Sequence, residues 1–330
     1  MDHSSVDVCI IGAGLSGLSA GRALTAAGRR MVVLDKSRGL GGRAATRRID
    51  GIPVDHGAQF FTARSGAFQK QTEDWLQAGV CFEWSRGFPQ AANGRIQPPD
   101  SADAHPRFAC ADGMTALAKS LGQGLDVRRE HRVIRVEPDG DEFVLECEGG
   151  AIFHAGTVFC SAPMPQTATF AGEVAGVRQE ALTASPIESC LTVIAETSGP
   201  DPAWRGVQGR EGNLAWIGAD FSKRRERPAR RFIVLHGSAE FSDRHGDGDL
   251  DAAARILLHD AAALDPETLS SLTPRHIQRW RFARSAQPLA DRAFRRSTTG
   301  FYLIGDAFLQ GKIESAWTSG QAAAADFLAR

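Results

Sequence analysis

Gly12, Gly14 and Gly17 stand at G-x-G-x-x-G spacing directly after the apolar run Val6–Ile11, and Asp35 closes a second apolar run 18 residues past Gly17. Val6, Val8, Ile10 and Ile11 are β-branched, as a central parallel strand buried on both faces requires. The first glycine permits a tight turn, the second lets backbone approach a pyrophosphate, and the third lets helix pack close on strand. Helix-forming residues run on through Ala27, with Gly28 as the stop. Unpaired N–H groups and the macrodipole at that helix's start favour phosphate. Asp35 is placed to accept hydrogen bonds from an adenosine ribose. This pattern predicts a dinucleotide site built from Gly12, Ala13, Gly14, Leu15, Ser16, Gly17 and Asp35.

The elements that position this site fit an ordinary soluble chain long enough for two domains: 330 residues, 42% hydrophobic, 23% charged, with a net charge of −1. That balance offers no global attraction to nucleic acid. The six cysteines have no C-x-x-C spacing and read as small buried hydrophobes, and the nine histidines include no H-x-x-x-H, so neither a disulfide frame nor a metal site is expected. The opening MDHSSVD lacks the basic and apolar regions of a signal peptide, and no apolar run reaches membrane length. A cytoplasmic location is expected.

Along the chain, 49–54 reads as a hairpin turned at Asp50-Gly51, and Phe68, Trp75 and Leu76 share a helical face. Residues 85–106 read as an irregular excursion, 113–121 as a helix, 132–146 as a hairpin turned at Asp139-Gly140, and 157–161 as a buried strand. After about residue 165, two short helices precede strands at 191–196, 214–217, 232–238 and 276–282, with a helix over 250–264 set among them. The chain returns with GFYLIGD at 300–306 and a closing helix over 314–328. The fold expected is α/β, α+β overall. A Rossmann-type cofactor domain (1–64, 107–165 and 296–330) carries an inserted, mainly antiparallel β-sheet substrate domain (65–106 and 166–295).

Two further signatures narrow the cofactor. RGLGGR at 38–43 resembles the second FAD fingerprint of the amine-oxidase superfamily of flavoproteins, and Gly305-Asp306 resembles its carboxy-terminal motif. That resemblance implies Arg43 on the diphosphate, Asp306 on the ribityl chain, and a helix N-terminus at the flavin N1–C2=O edge, with Lys312 beside it. LDKSRGLGGR (34–43), DHGAQFFTAR (55–64), FCSAPMPQT (159–167), RWRFARS (279–285) and GKIESAWTSGQAAA (311–324) together resemble the renalase family, especially bacterial renalases, over nearly the whole chain. The resemblance implies non-covalent FAD, held by Lys36, Arg38, Gly42, Arg43, Ala58, Gln59, Phe60, Val133, Gly305, Asp306 and Ile313 besides the first fingerprint. It implies an oxidase that takes hydride from 2- or 6-dihydro isomers of NAD(P)H to flavin N5, releases NAD(P)⁺ and reduces O₂ to H₂O₂. One departure stands out: bacterial renalases tend to carry tryptophan after the terminal Gly-Asp, where this chain has Ala307-Phe308.

Hydride transfer from a carbon whose ring gains aromaticity needs positioning more than a nucleophile or strong base, so no acid–base residue is assigned. Phe61, Thr62 and Arg64 are candidates for the substrate side, with core packing as the other reading of the phenylalanines. His236, Trp216 and Trp280, on strands of the inserted sheet, either face the ligand or belong to the core. KRRERPARR at 223–231 is either a solvated loop or an attractor for substrate phosphates, with Arg224 and Arg225 as its steering charges. G-x-S-x-G at 17–21 is no hydrolase elbow, because Ser19 lies inside the helix rather than after a strand. An amine oxidase is the enzymatic alternative, although such enzymes commonly frame the amine with tyrosines and Tyr302 is the chain's one tyrosine. A flavin-binding sensor is the non-enzymatic one. No feature singles out a self-association surface.

Overall fold

The computed structural model describes residues 5–99, 105–174, 176, 182–183, 187–289 and 292–330. The chain forms two compact units, one of Met1–Ala44, Leu117–Ile187 and Arg284–Arg330, the other of Ala45–Ala116 and Glu188–Ala283.

The first unit is built on an eight-stranded sheet. Its centre is parallel: Val6–Ile11 runs between Met31–Asp35 and Ile152–Cys160, with Val127–Arg129 and Phe301–Ile304 beyond them. Val8, Cys9 and Ile10 have no exposure, as strands covered on both faces should. The hairpin of Val133–Asp139 and Glu142–Cys147 joins the sheet antiparallel and turns at Gly140, whose φ of +62° suits glycine. Helices Leu15–Ala26 and Ile313–Leu328 cross so closely that a Cβ on Gly320 would sit 2.1 Å from the Ser16 carbonyl oxygen. Ser19 Oγ, 2.7 Å from the Trp317 carbonyl, ties the same crossing. Ser19 is therefore a buried helix contact, in keeping with the rejected elbow.

The second unit holds a seven-stranded, mainly antiparallel sheet that includes Ile187–Thr197, Leu214–Ala219, Arg231–Gly237 and Thr273–Ser285. Helix Leu250–Leu264, capped by the Asp249 carboxylate, covers one face through a cluster with Ile217, Ile233, Leu235 and Ile277. The hairpin Thr46–Ile49/Ile52–Asp55 turns at Asp50-Gly51 with both φ values positive, +50° and +83°.

Several expectations differ from the structure. Residues 45–64 and 107–116 fall in the second unit rather than the first. Val54 packs against Ile194, Phe232 and Val234, and Phe61 pairs with Phe108 through backbone hydrogen bonds. Helix Met164–Ala171 packs instead into the first unit's core through Met164, Ala168 and Ala171. The other short helix expected before the strands lies largely outside the described residues. The 85–106 stretch is not irregular throughout, since Phe82–Arg86, Gln90–Ala92 and Arg95–Gln97 are strands. On helix Gly66–Gln77, Phe68 and Trp75 are buried but Leu76 is 39% exposed, and Thr72 takes the third inward position.

Candidate functional site

In the first unit the two glycine-rich segments lie against each other. Gly41 bridges Gly14, with the Gly41 N–H 2.9 Å from the Ala13 carbonyl, and a Cβ on Gly42 would meet the Gly14 Cα at 3.5 Å. Gly12 has φ +103° and a Cβ there would strike Ser161 Oγ, while a Cβ on Gly17 would lie 2.1 Å from the Gly12 carbonyl oxygen. Around Gly14, in contrast, a Cβ would meet nothing within 4 Å, and the same holds at Gly305, where φ is +145°. The turn is thus tight where strand meets helix and open where a ligand's backbone-hugging groups belong.

Both long helices of this unit begin without a side-chain cap: Leu15–Ala26 behind Gly14, and Ile313–Leu328 behind Lys312. Ser16, in the first turn, is 4% exposed and its hydroxyl has no partner. Open N–H groups, an orphaned hydroxyl and glycine clearance together fit a diphosphate. Asp35 accepts from the Ala13 N–H at 2.6 Å and the Ser37 N–H at 2.7 Å, which fixes its carboxylate at the turn. Arg43 and Asp306, expected on diphosphate and ribityl chain, are paired through two hydrogen bonds of 3.1 and 2.5 Å. The Gly305 N–H is held by Ser319 Oγ at 2.8 Å.

Other first-unit candidates take plainer roles. Lys36 donates to Gln166 at 2.9 Å, and burial, with the nearby Arg132 charge, lowers its pKa below the usual lysine value. Arg38 is exposed, its carbonyl accepting from Arg129. Lys312 is exposed and donates to Gln310. Val133 belongs to the apolar core cluster, and Ile313 is buried at its helix start. Phe308 packs into the same core with Phe301 and Leu303, so the Ala307-Phe308 departure fills the interior.

In the second unit, the sheet face opposite helix Leu250–Leu264 gathers the candidate substrate residues. Trp216 stands directly across from His236, and His236 from Thr192, so the three share a face by register. Ile277 lies on the helix-covered face, and alternation therefore puts His276 and Trp280 with Trp216 and His236. The Trp216 indole lies over Gly206 and Gly218, where any Cβ would overlap it. Trp280 donates to the His56 carbonyl at 2.8 Å and stacks on the His56 ring at 5.3 Å, while His276 meets that ring edge-on at 6.0 Å. Trp216 Nε1, His236 Nε2, His56 Nδ1 and His276 Nε2 are all buried without a partner.

These histidines are neutral near pH 7. Burial, then the His276 and Arg47 charges, lowers His56 from 6.5 to about 4; burial, then Lys223 and His56, lowers His236 from 6.5 to about 3. Between pH 6.5 and about 4 the unfolded chain takes up protons on these rings that the folded chain refuses, so stability falls as pH falls. The urea midpoint is expected to drop across that window, with a shallower drop in His56→Phe. An equal drop in the variant would remove His56 from this balance.

Phe60 and Phe61 separate cleanly. Phe60 joins Phe88 and Trp216 at 4.9 and 5.4 Å beside the sheet face. Phe61 is 3% exposed and packs with Phe68, Trp75 and Phe108, so it is a core residue and not a substrate contact. Ala58 and Thr62 are half-buried and Arg64 is exposed. Gln59 has its amide fully engaged, donating to the Asp55 and Gly57 carbonyls and accepting from Lys223, so its side chain is no cofactor ligand.

The basic run at 223–231 is neither a solvated loop throughout nor a free attractor. Lys223 is fully buried between Asp55 and Asp220, and Arg224 is bound to Asp220 at 2.7 Å and to the Ala111 carbonyl. Arg227 and Arg231 pair with Asp201, and Arg230 with Glu196. Arg225 donates only weakly, to the Gly79 carbonyl at 3.3 Å. With most of its charge neutralised in place, the run is a poor steering patch. Arg225→Gln is expected to leave the salt dependence of KM for a phosphate-bearing substrate unchanged; a KM rise confined to low salt would restore the steering role.

Two family models match the chain. A model described as NAD(P)-binding Rossmann-like domain matches residues 10–76, and one described as flavin containing amine oxidoreductase matches residues 73–328. The chain belongs to the flavin-containing amine oxidoreductase family. Membership implies a flavin cofactor, and the cradle above fits one. Among curated relatives, a putative flavin-containing monoamine oxidase AofH of Mycobacterium tuberculosis is 43% identical over 56 residues, and putrescine oxidase of Kocuria rosea 41% over 56 residues. Each of these matches covers 17% of this chain and 12% of the relative. A putrescine oxidase A394C mutant superposes with TM-score 0.75 at 15% identity over 99% of both chains. A putative protoporphyrinogen oxidase from Exiguobacterium sp. 255-15 does so with TM-score 0.74 at 15% identity, over 99% of this chain and 100% of that one. At such identities the likeness establishes the amine-oxidase fold. Among the described residues, no helix is long and apolar enough to cross a membrane.

Sequence reasoning missed His56 and His276. His56 stands inside the DHGAQFF match and His276 two residues before Gln278 on the strand of Trp280; alternation along 276–280 was the available signal.

Proposed function

We propose that this flavin-dependent oxidoreductase of the amine oxidase family is an oxidase that takes a hydride from a carbon bonded to nitrogen. We take its cofactor to be non-covalent FAD. When bound, the flavin supplies a two-electron acceptor that O₂ regenerates, giving H₂O₂. Arg43, Asp306, Asp35 and the two uncapped helix starts are the residues that would hold it.

The observation that carries the substrate reading is the second unit's sheet face, where four buried ring nitrogens lack partners amid indole and imidazole planes. Such a wall suits a flat, uncharged ring, whose face the indole and imidazole planes can cover. A 2- or 6-dihydronicotinamide isomer of NAD(P)H has that shape, and its labile hydride sits beside the ring nitrogen. The histidines of the face are neutral near pH 7 and set no charge against a neutral donor, leaving positioning and exclusion of water as the protein's contribution.

The comparisons speak more directly for a second reading, a small amine, through the family model and the matches to monoamine and putrescine oxidases. The chemistry is shared, since an amine also loses hydride from carbon next to nitrogen. The recognition differs. Tyr302 is 1% exposed, stacked on Phe159 and bonded to Asp326, so no tyrosine is available to frame an amine.

Aerobic assay of H₂O₂ with borohydride-derived NADH isomers, normal NADH, putrescine and benzylamine separates the readings. Turnover with an isomer, and none with NADH or amines, supports the dihydronicotinamide oxidase. Turnover with an amine alone replaces it with the amine oxidase, and a flavin-loaded protein that turns over nothing leaves the sensor.

A further inference from the structure

The second unit contains a charge cluster that the proposed chemistry does not use. Lys223 Nζ is 3.0 Å from Asp55 Oδ2, 2.9 Å from Asp220 Oδ1 and 3.1 Å from Gln59 Oε1, with no side-chain exposure. Its three donors are therefore all used. Asp55 Oδ1 accepts from Thr46 Oγ1 and from the Met114 N–H, both at 2.7 Å, and Asp220 Oδ1 accepts from the Asp55 N–H at 3.2 Å. The ammonium also lies 5.1 Å from the Trp84 ring centroid, and the Trp84 N–H binds Ser222 in the same turn as Lys223. Every partner of this lysine is thus fixed from a second direction.

The outgoing contact is Gln59. Lys223 holds its carbonyl oxygen, and this orients the amide nitrogen to donate to the Asp55 carbonyl at 2.6 Å and the Gly57 carbonyl at 3.1 Å. Those two bonds close the 55–59 backbone into one conformation. Inside the closure stands His56, stacked on Trp280, and directly after it Phe60, packed on Trp216. A buried ion cluster is weak evidence for stability in itself, since apolar replacements often do as well; its attested use is to fix a unique geometry.

We infer that Lys223 is a positioning residue, which through the Gln59 amide sets the 55–60 segment and so the placement of His56 and Phe60 on the aromatic sheet face. The role of that face as the substrate wall rests on the function proposed above; the positioning itself does not. Lys223 touches neither His56 nor Phe60 among the described contacts, and acts through the backbone that Gln59 closes.

Hydrogen exchange on the flavin-loaded protein tests this without reference to turnover. In Gln59→Met the lysine keeps both carboxylates but loses the Gln59 carbonyl, along with the two bonds from the amide to the 55–59 backbone. Amides of residues 56–60 are expected to exchange at least roughly tenfold faster while those of hairpin 46–55 are far less affected, and Tm falls by about 1–4 °C because one donor of the buried ammonium loses its partner. KM for whichever donor proves active is expected to rise roughly tenfold with kcat little altered, as misplacement of a binding wall should cause. Should Gln59→Met fail to fold, Gln59→Glu serves, because it keeps an acceptor for Lys223 and removes both donors; the same acceleration is expected. Unchanged exchange at 56–60 in the folded variant overturns the inference, as does loss of activity with unchanged exchange, which would make Gln59 a direct contact. If no donor is oxidised by the wild-type protein, the functional reading fails while the exchange result still decides this one.

Discussion

Gly17→Val is expected to give a protein that purifies without flavin, its affinity weakened by at least about 100-fold, or roughly 3 kcal/mol. A Cβ on Gly17 would lie 2.1 Å from the Gly12 carbonyl oxygen, 3.1 Å from Ile10 Cγ2 and 3.2 Å from Ser161 Oγ. The first of these is backbone of the central strand's turn and cannot swing aside. Helix Leu15–Ala26 must back away from the strand, and such overpacking costs about 1–3 kcal/mol in stability alone. The same shift carries the uncapped N–H groups away from the diphosphate position. Gly14→Ala isolates the second effect. Gly14 has φ −76° and open space where its Cβ would go, so the ligand-free protein should keep its Tm while flavin binding weakens. The flavin-to-protein absorbance ratio with a melt of each variant checks both; full flavin content in Gly17→Val would contradict the placement of the cofactor at this turn.

The other large effect belongs to Asp220. Removing its carboxylate leaves Lys223 and Arg224 sharing Asp55 alone in a fully buried cluster. Breaking a buried pair in this way costs about 3–5 kcal/mol, and in a chain of this size Tm should fall by about 4–7 °C. Burial by itself would raise the Asp220 pKa, but the charges of Lys223 and Arg224 and their hydrogen bonds outweigh it and hold the carboxyl below 3.8. A carboxylate with a lowered folded-state pKa contributes stability that is present above the unfolded value and lost as pH falls through the folded one. Wild-type Tm is therefore expected to fall steeply below about pH 4 from this residue, a limb missing in Asp220→Ala, which is already low at pH 7. A Tm within 2–3 °C of wild type at pH 7 would mean that the cluster is hydrated or its cations displaced.

The cradle was legible because its signals are local. Gly12, Gly17 and Asp35 each answer a demand set within about thirty residues, and short β-branched apolar runs mark the two strands beside them. The hairpin at Asp50-Gly51 was readable for the same reason: two adjacent residues must take positive φ. What could not be read is what the second unit decides through contacts far apart in sequence. Lys223 and Arg224 sit in a run of bases that composition describes as solvated, yet Asp55 lies 168 positions away from Lys223 and neutralises it. Phe60 and Phe61 are adjacent and chemically alike, and only pairing of the Phe61 backbone with Phe108 decides which faces Trp216. His56 is an unremarked residue in its motif until Trp280, 224 positions on, stacks against it. Leu76 fits a helical face on paper, but Thr72, which bonds back to the Phe68 carbonyl, takes the buried position.

Anaerobic mixing of the flavin-loaded protein with one donor at a time, followed at the oxidised flavin band, tests the central claim most directly. Bleaching within the mixing experiment by a 2- or 6-dihydronicotinamide isomer, with recovery on admitting oxygen and none of either with normal NADH, is the result expected of an oxidase that draws hydride from carbon beside nitrogen. A flavin bleached by normal NADH, whose hydride carbon is remote from the ring nitrogen, and by neither an isomer nor an amine, would contradict it.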